Sequence, residues 1–172
     1  EDGYPSQEKG FQNMKIGVLS DTHGRLDSKI TALFSGVEWI LHAGDIGSYD
    51  VLIQLKEIAP VEAVRGNGDA AGLLELLPKK RVLLLAGKKV LLTHIGDPIE
   101  ELIEILDGEG PLESFDIIIC GHTHSPEMRF NEKTLFFNPG AASCKMCYLA
   151  PSVGLITLGN DEIQGEVISL DS

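Results

Sequence analysis

The chain has 172 residues, which is enough for one domain with an ordinary hydrophobic core, and no second domain is needed. Its 14 Lys and Arg residues stand against 26 Asp and Glu residues, and the net charge of −12 argues against binding of long nucleic acids or anionic membranes. No apolar run reaches membrane-spanning length, and residues 1–13 lack a secretion-signal pattern, so we expect a cytoplasmic protein.

The N-terminal residues 1–13 are polar and aperiodic, which predicts a flexible leader or appended residues, with the folded domain covering 14–172. The three cysteines form no framework typical of a disulfide-stapled secreted protein. Cys120 is predicted to be a core residue at a strand end. Cys144 and Cys147 have the spacing of a redox or zinc pair, but one such pair without a second is a weak signal.

The first half of the chain alternates apolar strands with helical stretches. Strands are predicted at 15–20, 39–42 and 61–64, with helices through 26–34 and 51–58 between them. Each strand runs into a polar loop, in order Asp21-Thr22-His23-Gly24, Ala43-Gly44-Asp45 and Arg65-Gly66-Asn67-Gly68-Asp69. Such strand–helix units build a parallel sheet whose ligand-binding groups collect at the carboxyl ends of the strands. We therefore expect a functional site along this edge.

The second half is richer in strands. Runs 81–86 and 89–93, joined by Gly87-Lys88, predict a hairpin that ends in His94-Ile95-Gly96-Asp97. An amphipathic helix is predicted through 99–106, and a strand at 115–120 leads into Gly121-His122-Thr123-His124. The last strands are predicted at 128–130, 134–137, 153–158 and 163–170, consecutive and antiparallel, with Asn138-Pro139-Gly140 as a turn.

Four of the five histidines fall in these polar loops. The loops together present carboxylate, amide and imidazole groups, namely Asp21, His23, Asp45, Asn67, His94, His122 and His124. A set without thiolates suits Mn²⁺, Ni²⁺, Fe, Co²⁺ or Zn²⁺ better than Ca²⁺ or an iron–sulfur cluster. Seven groups are too many for one tetrahedral ion, and two ions sharing a carboxylate would use them well. The fifth histidine, His42, is predicted to be a hydrogen-bonded core residue.

Five motifs occur in a fixed order: Asp-x-His, Gly-Asp, Gly-Asn-x-Asp, a His shortly before a Gly, and Gly-His-x-His. This order resembles the calcineurin-like metallophosphoesterases, from Met14 to about Ser169. Within them, Ser20-Asp21-Thr22-His23-Gly24 and the segment 138–143 look most like the small YfcE-type phosphodiesterases. The resemblance implies a single α/β domain, a four-layer α/β/β/α sandwich of two mixed sheets flanked by helices.

The resemblance also implies roles for the loop residues. One ion would be held by Asp21, His23, Asp45 and His124, and the other by Asp45, Asn67, His94 and His122, with Asp45 as the bridge. A hydroxide between the two ions, most often Mn²⁺ or Ni²⁺, would attack the phosphorus of a small phosphodiester in line. Asp45, Asn67 and Asp69 are the candidate catalytic residues, where Asp69 either orients a neighbouring loop or caps the next helix. A homodimer is common in this branch.

Gly68 departs from the wider family, in which a histidine at this position is assigned to protonating the leaving group or stabilising the transition state. Backbone, water or His42 could substitute in part, and diesters with good leaving groups, such as aryl esters, should be affected least. Arg65 could contact phosphate or form a salt bridge under its loop. Two alternative functions stay open: a scaffold like the retromer subunit that shares this fold, and a phosphomonoesterase. The seven intact ligand positions favour the enzyme.

Overall fold

The computed structural model describes residues 13–143 and 148–171, which form ten strands and four helices. The strands are β1 (Met14–Leu19), β2 (Trp39–His42), β3 (Val61–Ala63), β4 (Lys80–Leu85), β5 (Lys88–Thr93), β6 (Ile117–Ile119), β7 (Glu127–Asn131), β8 (Thr134–Asn138), β9 (Ser152–Leu158) and β10 (Ile163–Ser169). The helices are α1 (Lys29–Leu33), α2 (Tyr49–Lys56), α3 (Ala71–Leu76) and α4 (Ile99–Leu106), and a 3-10 turn covers Leu112–Ser114. None of these helices has the length and apolar character needed to span a bilayer.

The strands form two mixed sheets of five strands each, with orders β10-β9-β1-β2-β3 and β4-β5-β6-β8-β7. In the first sheet β1, β2 and β3 are parallel, and in the second β5, β6 and β8 are parallel. The hairpins β9–β10, β4–β5 and β7–β8 are antiparallel. The predicted single-domain α/β fold with two mixed sheets is therefore confirmed.

Side-chain alternation along the strands explains the layers. Successive residues of a strand point to opposite faces of a sheet. Leu41 and Ile117 lie in one buried cluster to which both sheets contribute, whereas Ile40 lies in a cluster with residues of α1 and α2. Ile118 lies with Leu102 of α4. The sheets therefore pack on each other, with α1 and α2 on the outer face of the first and α4 on the outer face of the second.

The structure corrects one part of the predicted topology. The last four strands are not one antiparallel run, because β8 lies parallel to β6 in the second sheet while β9 lies antiparallel to β1 in the first. Asn138-Pro139-Gly140 thus begins a crossing between sheets. An apolar run shows that a strand exists but not which strand is its partner. Helix α3 was also missed, and its weak periodicity explains why, since only Leu73 in it is buried.

Two predictions lie outside the described residues. They are the leader predicted at 1–13, of which the structure describes Asn13 alone, and the pair formed by Cys144 and Cys147. Cys120 lies directly after β6 as predicted, but it is only partly buried and is not part of the hydrophobic clusters. Burial raises the pKa of its thiol to about 12, so the sulfur stays protonated near neutral pH.

Candidate metal centre

The polar loops that carry the predicted ligands follow five strands: β1, β2, β3, β5 and β6. They meet where the carboxyl ends of these strands, from both sheets, lie side by side. The loop after β1 is tied to the loop after β2, since the Asp21 amide donates to the Gly44 carbonyl and the His23 amide to the Asp45 carbonyl, both at 3.0 Å. The Gly121 amide donates to the His94 carbonyl at 2.9 Å, which joins the loops after β6 and β5. Backbone hydrogen bonds therefore hold the predicted ligands in register.

Two glycines allow this close approach. A Cβ atom at Gly66 would overlap the Asp45 carboxylate, and one at Gly121 would overlap the Ser20 hydroxyl. Neither glycine adopts a left-handed backbone. The positive φ angles after Gly121 belong to His122 and His124, so Gly121 is required for space and not for its backbone freedom.

Five of the seven predicted ligands have positive φ angles, a region that residues other than glycine rarely adopt. The angles are 54° at Asp21, 46° at His23, 52° at Asp45, 70° at His122 and 58° at His124. Each such conformation costs roughly 1–3 kcal/mol and persists only where surrounding structure imposes it, most often at functional sites. The cluster of strained residues therefore makes this edge the candidate functional site.

The first group of ligands consists of Asp21, His23 and His124. Oδ1 of Asp21 lies 3.0 Å from Nε2 of His124 and 3.8 Å from Nε2 of His23. The two imidazole nitrogens are 3.4 Å apart. Asp21 is fully buried, while His23 is exposed, so the carboxylate forms the floor of the group and the rings form its mouth.

The second group consists of Asp45, Asn67, His94 and His122. Oδ1 of Asn67 lies 3.1 Å from Nε2 of His94 and 3.0 Å from Nδ1 of His122. Nε2 of His94 lies 3.5 Å from Oδ1 of Asp45. Ligand atoms of Asp21, Asp45 and His94 also lie within 4.8 Å of one another, so the two groups are contiguous. The structure thus brings all seven predicted residues together, while the bridging role of Asp45 stays a prediction.

The donor set fits divalent cations. Nδ1 of His94 donates to the Ala43 carbonyl at 2.7 Å, which leaves Nε2 as the ring nitrogen available to a cation. Nε2 faces Oδ1 of Asp45, an acceptor. Acceptors that converge without a donor between them are satisfied by a metal ion, and the backbone carbonyl that fixes the ring is typical of metal-binding histidines.

The comparison with known families agrees with this geometry. The calcineurin-like phosphoesterase superfamily domain matches residues 14–161. The chain belongs to this superfamily. A probable metallophosphoesterase of Methanothermobacter thermautotrophicus is 34% identical over 160 residues, which cover 90% of this chain and 92% of that protein. Phosphodiesterase YfcE of Escherichia coli is 30% identical over 156 residues, covering 76% and 80%.

Solved structures show the same fold. Vps29 of Chaetomium thermophilum superposes on the phosphoesterase with a TM-score of 0.71, covering 91% of this chain and 97% of that one. Its sequence is 19% identical, so this likeness concerns the fold alone. The match of the family domain to residues 14–161, and not this fold likeness, confirms the resemblance that the five motifs indicated.

Asp69 of the phosphoesterase joins two of the ligand-bearing loops. Its carboxylate is buried and accepts the Gly47 amide at 2.9 Å and the Gly66 amide at 2.8 Å. The Gly68 amide donates to Oδ1 of Asp45 at 2.7 Å across the same junction. Asp69 does not cap α3, which begins after Ala70 without a side-chain cap. Its predicted catalytic role stays a prediction, and the contacts describe a positioning residue between the Asp45 and Asn67 loops.

His42 lies beneath the centre, and both of its ring nitrogens form hydrogen bonds. Its Nδ1 accepts the Gly44 amide at 3.2 Å, so Nε2 donates to the Thr22 hydroxyl at 2.9 Å. That hydroxyl donates to the Ile46 carbonyl at 2.9 Å. Burial, reinforced by His94 and His23, lowers the pKa of His42 to about 3. The ring is neutral near pH 7 and cannot replace the acid that Gly68 lacks.

Arg65 forms its hydrogen bonds with backbone carbonyls of the protein. Its guanidinium donates to the Leu74 carbonyl, and its amide donates to the Pro78 carbonyl at 2.9 Å. These bonds fasten the segment around α3. Within the described part of the chain Arg65 forms no salt bridge, so a hydrogen bond takes the place of the predicted ion pair.

A groove adjoining the centre was not predicted from the sequence. Its volume is about 1120 Å³, and Asn67 and His94 line it. The other walls come from the segment around α3 and from α4. The amphipathic pattern of 99–106 predicted helix α4 but could not show that its polar side faces a ligand-bearing loop.

Proposed function

We propose that this phosphoesterase is a dinuclear-metal-dependent phosphodiesterase that hydrolyses small phosphodiesters. The observation that supports this most directly is the pair of contiguous ligand groups around Asp21 and Asp45 at the sheet edge. The phosphodiesterase name of the YfcE relative supports the diester class. Mn²⁺ and Ni²⁺ are the metals we propose first, because the donors are oxygen and imidazole.

The residues themselves have separate roles. When bound, the two ions would supply a water of lowered pKa as nucleophile and positive charge for the phosphate oxygens. The carboxylates of Asp21 and Asp45 would hold the cations and offset two of their four charges, whereas neutral Asn67 and the imidazoles add no negative charge. With the hydroxide nucleophile counted, the centre would keep a net charge of about +1 toward an anionic substrate. Asp69 keeps the Asn67 loop against the Asp45 loop.

The leaving group sets the range of substrates. Residue 68 is a glycine and His42 is neutral and buried, so neither supplies a proton to the departing oxygen. Esters whose leaving group is stable as an anion, such as aryl esters, should therefore react fastest. The acidic surface, with a net charge of −12, favours small substrates over long nucleic acids or membranes. A cytoplasmic location and a homodimer remain part of the proposal.

The competing functions have less support. A scaffold does not need seven converging ligand side chains, and the likeness to Vps29 concerns the fold alone. A phosphomonoesterase uses the same metal chemistry, so only substrate comparison separates it from a diesterase.

The test is a substrate and metal screen with the purified protein. Bis(p-nitrophenyl) phosphate and p-nitrophenyl phosphate are each assayed after removal of metal and addition of Mn²⁺, Ni²⁺, Co²⁺ or Zn²⁺. We expect metal-dependent turnover that favours the diester. Faster turnover of the monoester would support the phosphomonoesterase, and no turnover with any metal would exclude the enzyme.

A further inference from the structure

The groove of about 1120 Å³ is large enough to hold a sizeable organic group, because ligand pockets commonly measure about 300–1000 Å³. Its lining includes Asn67 and His94, two candidate metal ligands, so the space is continuous with the proposed reaction centre. A phosphodiester carries two organic arms, and an arm of a phosphate bound at the centre can enter this groove.

The walls combine apolar and acidic groups. Leu74, Pro78, Ile95 and Ile105 supply apolar surface. Glu101 and Glu104, three residues apart on α4, lie on one face of that helix and line the groove, as does Asp107 just after the helix. Within the described chain these three carboxylates form no ion pair.

Two of the three Lys and Arg side chains that line the groove already have partners within the protein. The Arg65 guanidinium is bonded to the Leu74 carbonyl. The Lys80 ammonium donates to the Leu106 carbonyl at 2.6 Å and lies 3.5 Å from the carboxylate of Glu109. Among the described residues that line the groove, Lys79 alone is a cation without such a partner. The free charges of the walls are therefore negative on balance.

We propose that this groove holds the arm that stays on phosphorus during hydrolysis and that it selects arms carrying a positive charge. The inference rests on the proposed phosphodiesterase function. The departing oxygen gains negative charge, which the carboxylates of Glu101, Glu104 and Asp107 would oppose, so the leaving arm belongs outside the groove. The same carboxylates reject arms with additional phosphate groups and attract an ammonium group.

Matched p-nitrophenyl diesters test this directly. p-Nitrophenyl phosphocholine and its isostere with an uncharged arm, 3,3-dimethylbutyl p-nitrophenyl phosphate, differ only in the quaternary nitrogen, which is a carbon in the isostere. In each reaction water supplies the oxygen that bonds to phosphorus. The bond from phosphorus to the aryl oxygen breaks, nitrophenolate departs with the electron pair, and a proton passes to solvent. The cationic or neutral arm stays on the phosphate product.

The full chain loaded with Mn²⁺ should show a kcat/KM for the choline ester about three- to tenfold above that for the isostere at low salt, since exposed charges interact weakly. The preference should shrink as NaCl is raised. The double substitution Glu101→Gln and Glu104→Gln should bring the ratio near one. Glu100→Gln, on the same helix but outside the groove lining, should leave the ratio unchanged.

A steric variant gives an independent measurement. Ile105→Trp should lower kcat/KM for both large esters relative to methyl p-nitrophenyl phosphate, because it narrows the groove. A ratio near one in the unsubstituted protein, or a preference that survives the double substitution, would overturn the groove inference while turnover continues. No turnover of any ester with any metal would instead overturn the proposed function.

Discussion

Asp69→Asn is the substitution that best separates positioning from simple stability. The buried carboxylate accepts two backbone amides, from Gly47 and Gly66, and an asparagine leaves an NH₂ group facing one of them. Losing a hydrogen bond to a charged group costs about 1.5–3 kcal/mol, so we expect that decrease in the free energy of unfolding. The substitution weakens the hydrogen bonds that hold the Asp45 loop against the Asn67 loop, so divalent-metal affinity should fall about 10- to 100-fold.

The assay combines urea unfolding of the metal-free protein with competitive chelator titration of Mn²⁺. Asp116→Asn is the matched control, because Asp116 also accepts a backbone amide, that of Lys89 at 2.7 Å, and lies at the opposite end of β6. The control should lose stability and keep its metal affinity. If Asp69→Asn also kept full metal affinity while losing stability, the positioning role would be refuted.

Three further predictions concern single positions. Asp45→Ala and His122→Ala should each remove bound metal and diester hydrolysis together, measured by elemental analysis and by turnover; activity that survives metal loss would contradict the assignment. Gly66→Ala should destabilise the protein by about 1–3 kcal/mol through overpacking against Asp45, whereas Gly72→Ala in α3, where a Cβ meets no atom within 4 Å, should stabilise it by about 0.5–1 kcal/mol. Equal thermal shifts for the two alanines would argue against the close approach. Because the pKa of His42 is lowered to about 3 in the folded state, the unfolded chain binds the proton first, and stability falls as pH drops from 6.5 toward 3. Between pH 6.5 and 5.0 this loss should amount to roughly 1–2 kcal/mol, which urea unfolding of metal-free His42→Gln should lack; the same pH dependence in both proteins would contradict it.

The candidate centre was predictable because its signals are local in sequence. Each ligand follows a strand within a few residues, and parallel strands deliver their carboxyl ends to one edge. Asp21 and Asp45 could therefore be placed together without knowing the path of the intervening helix. The strand–helix alternation of the first half predicted the parallel part of the first sheet for the same reason.

The parts that were missed depend on contacts between distant segments. Orientation of a neighbouring loop was one of the two roles predicted for Asp69, but its partner Gly47 lies 22 residues earlier and nothing near Asp69 in the sequence indicates it. The change of sheet between β8 and β9 depends on which strand each pairs with, and both strands read as equally apolar. Glu101 and Glu104 had the appearance of an ordinary solvent-facing helix surface, and only the fold places them on the groove.

The central claim is a two-metal centre, and metal stoichiometry measured after equilibrium dialysis tests it most directly. The protein, dialysed against Mn²⁺ and quantified by elemental analysis, should hold two ions per chain. Replacement of His124, in the Asp21 group, or of His94, in the Asn67 group, by alanine should lower that number. Two ions per chain that depend on both groups agree with the account. One ion per chain, or none, with every divalent metal tried would contradict it.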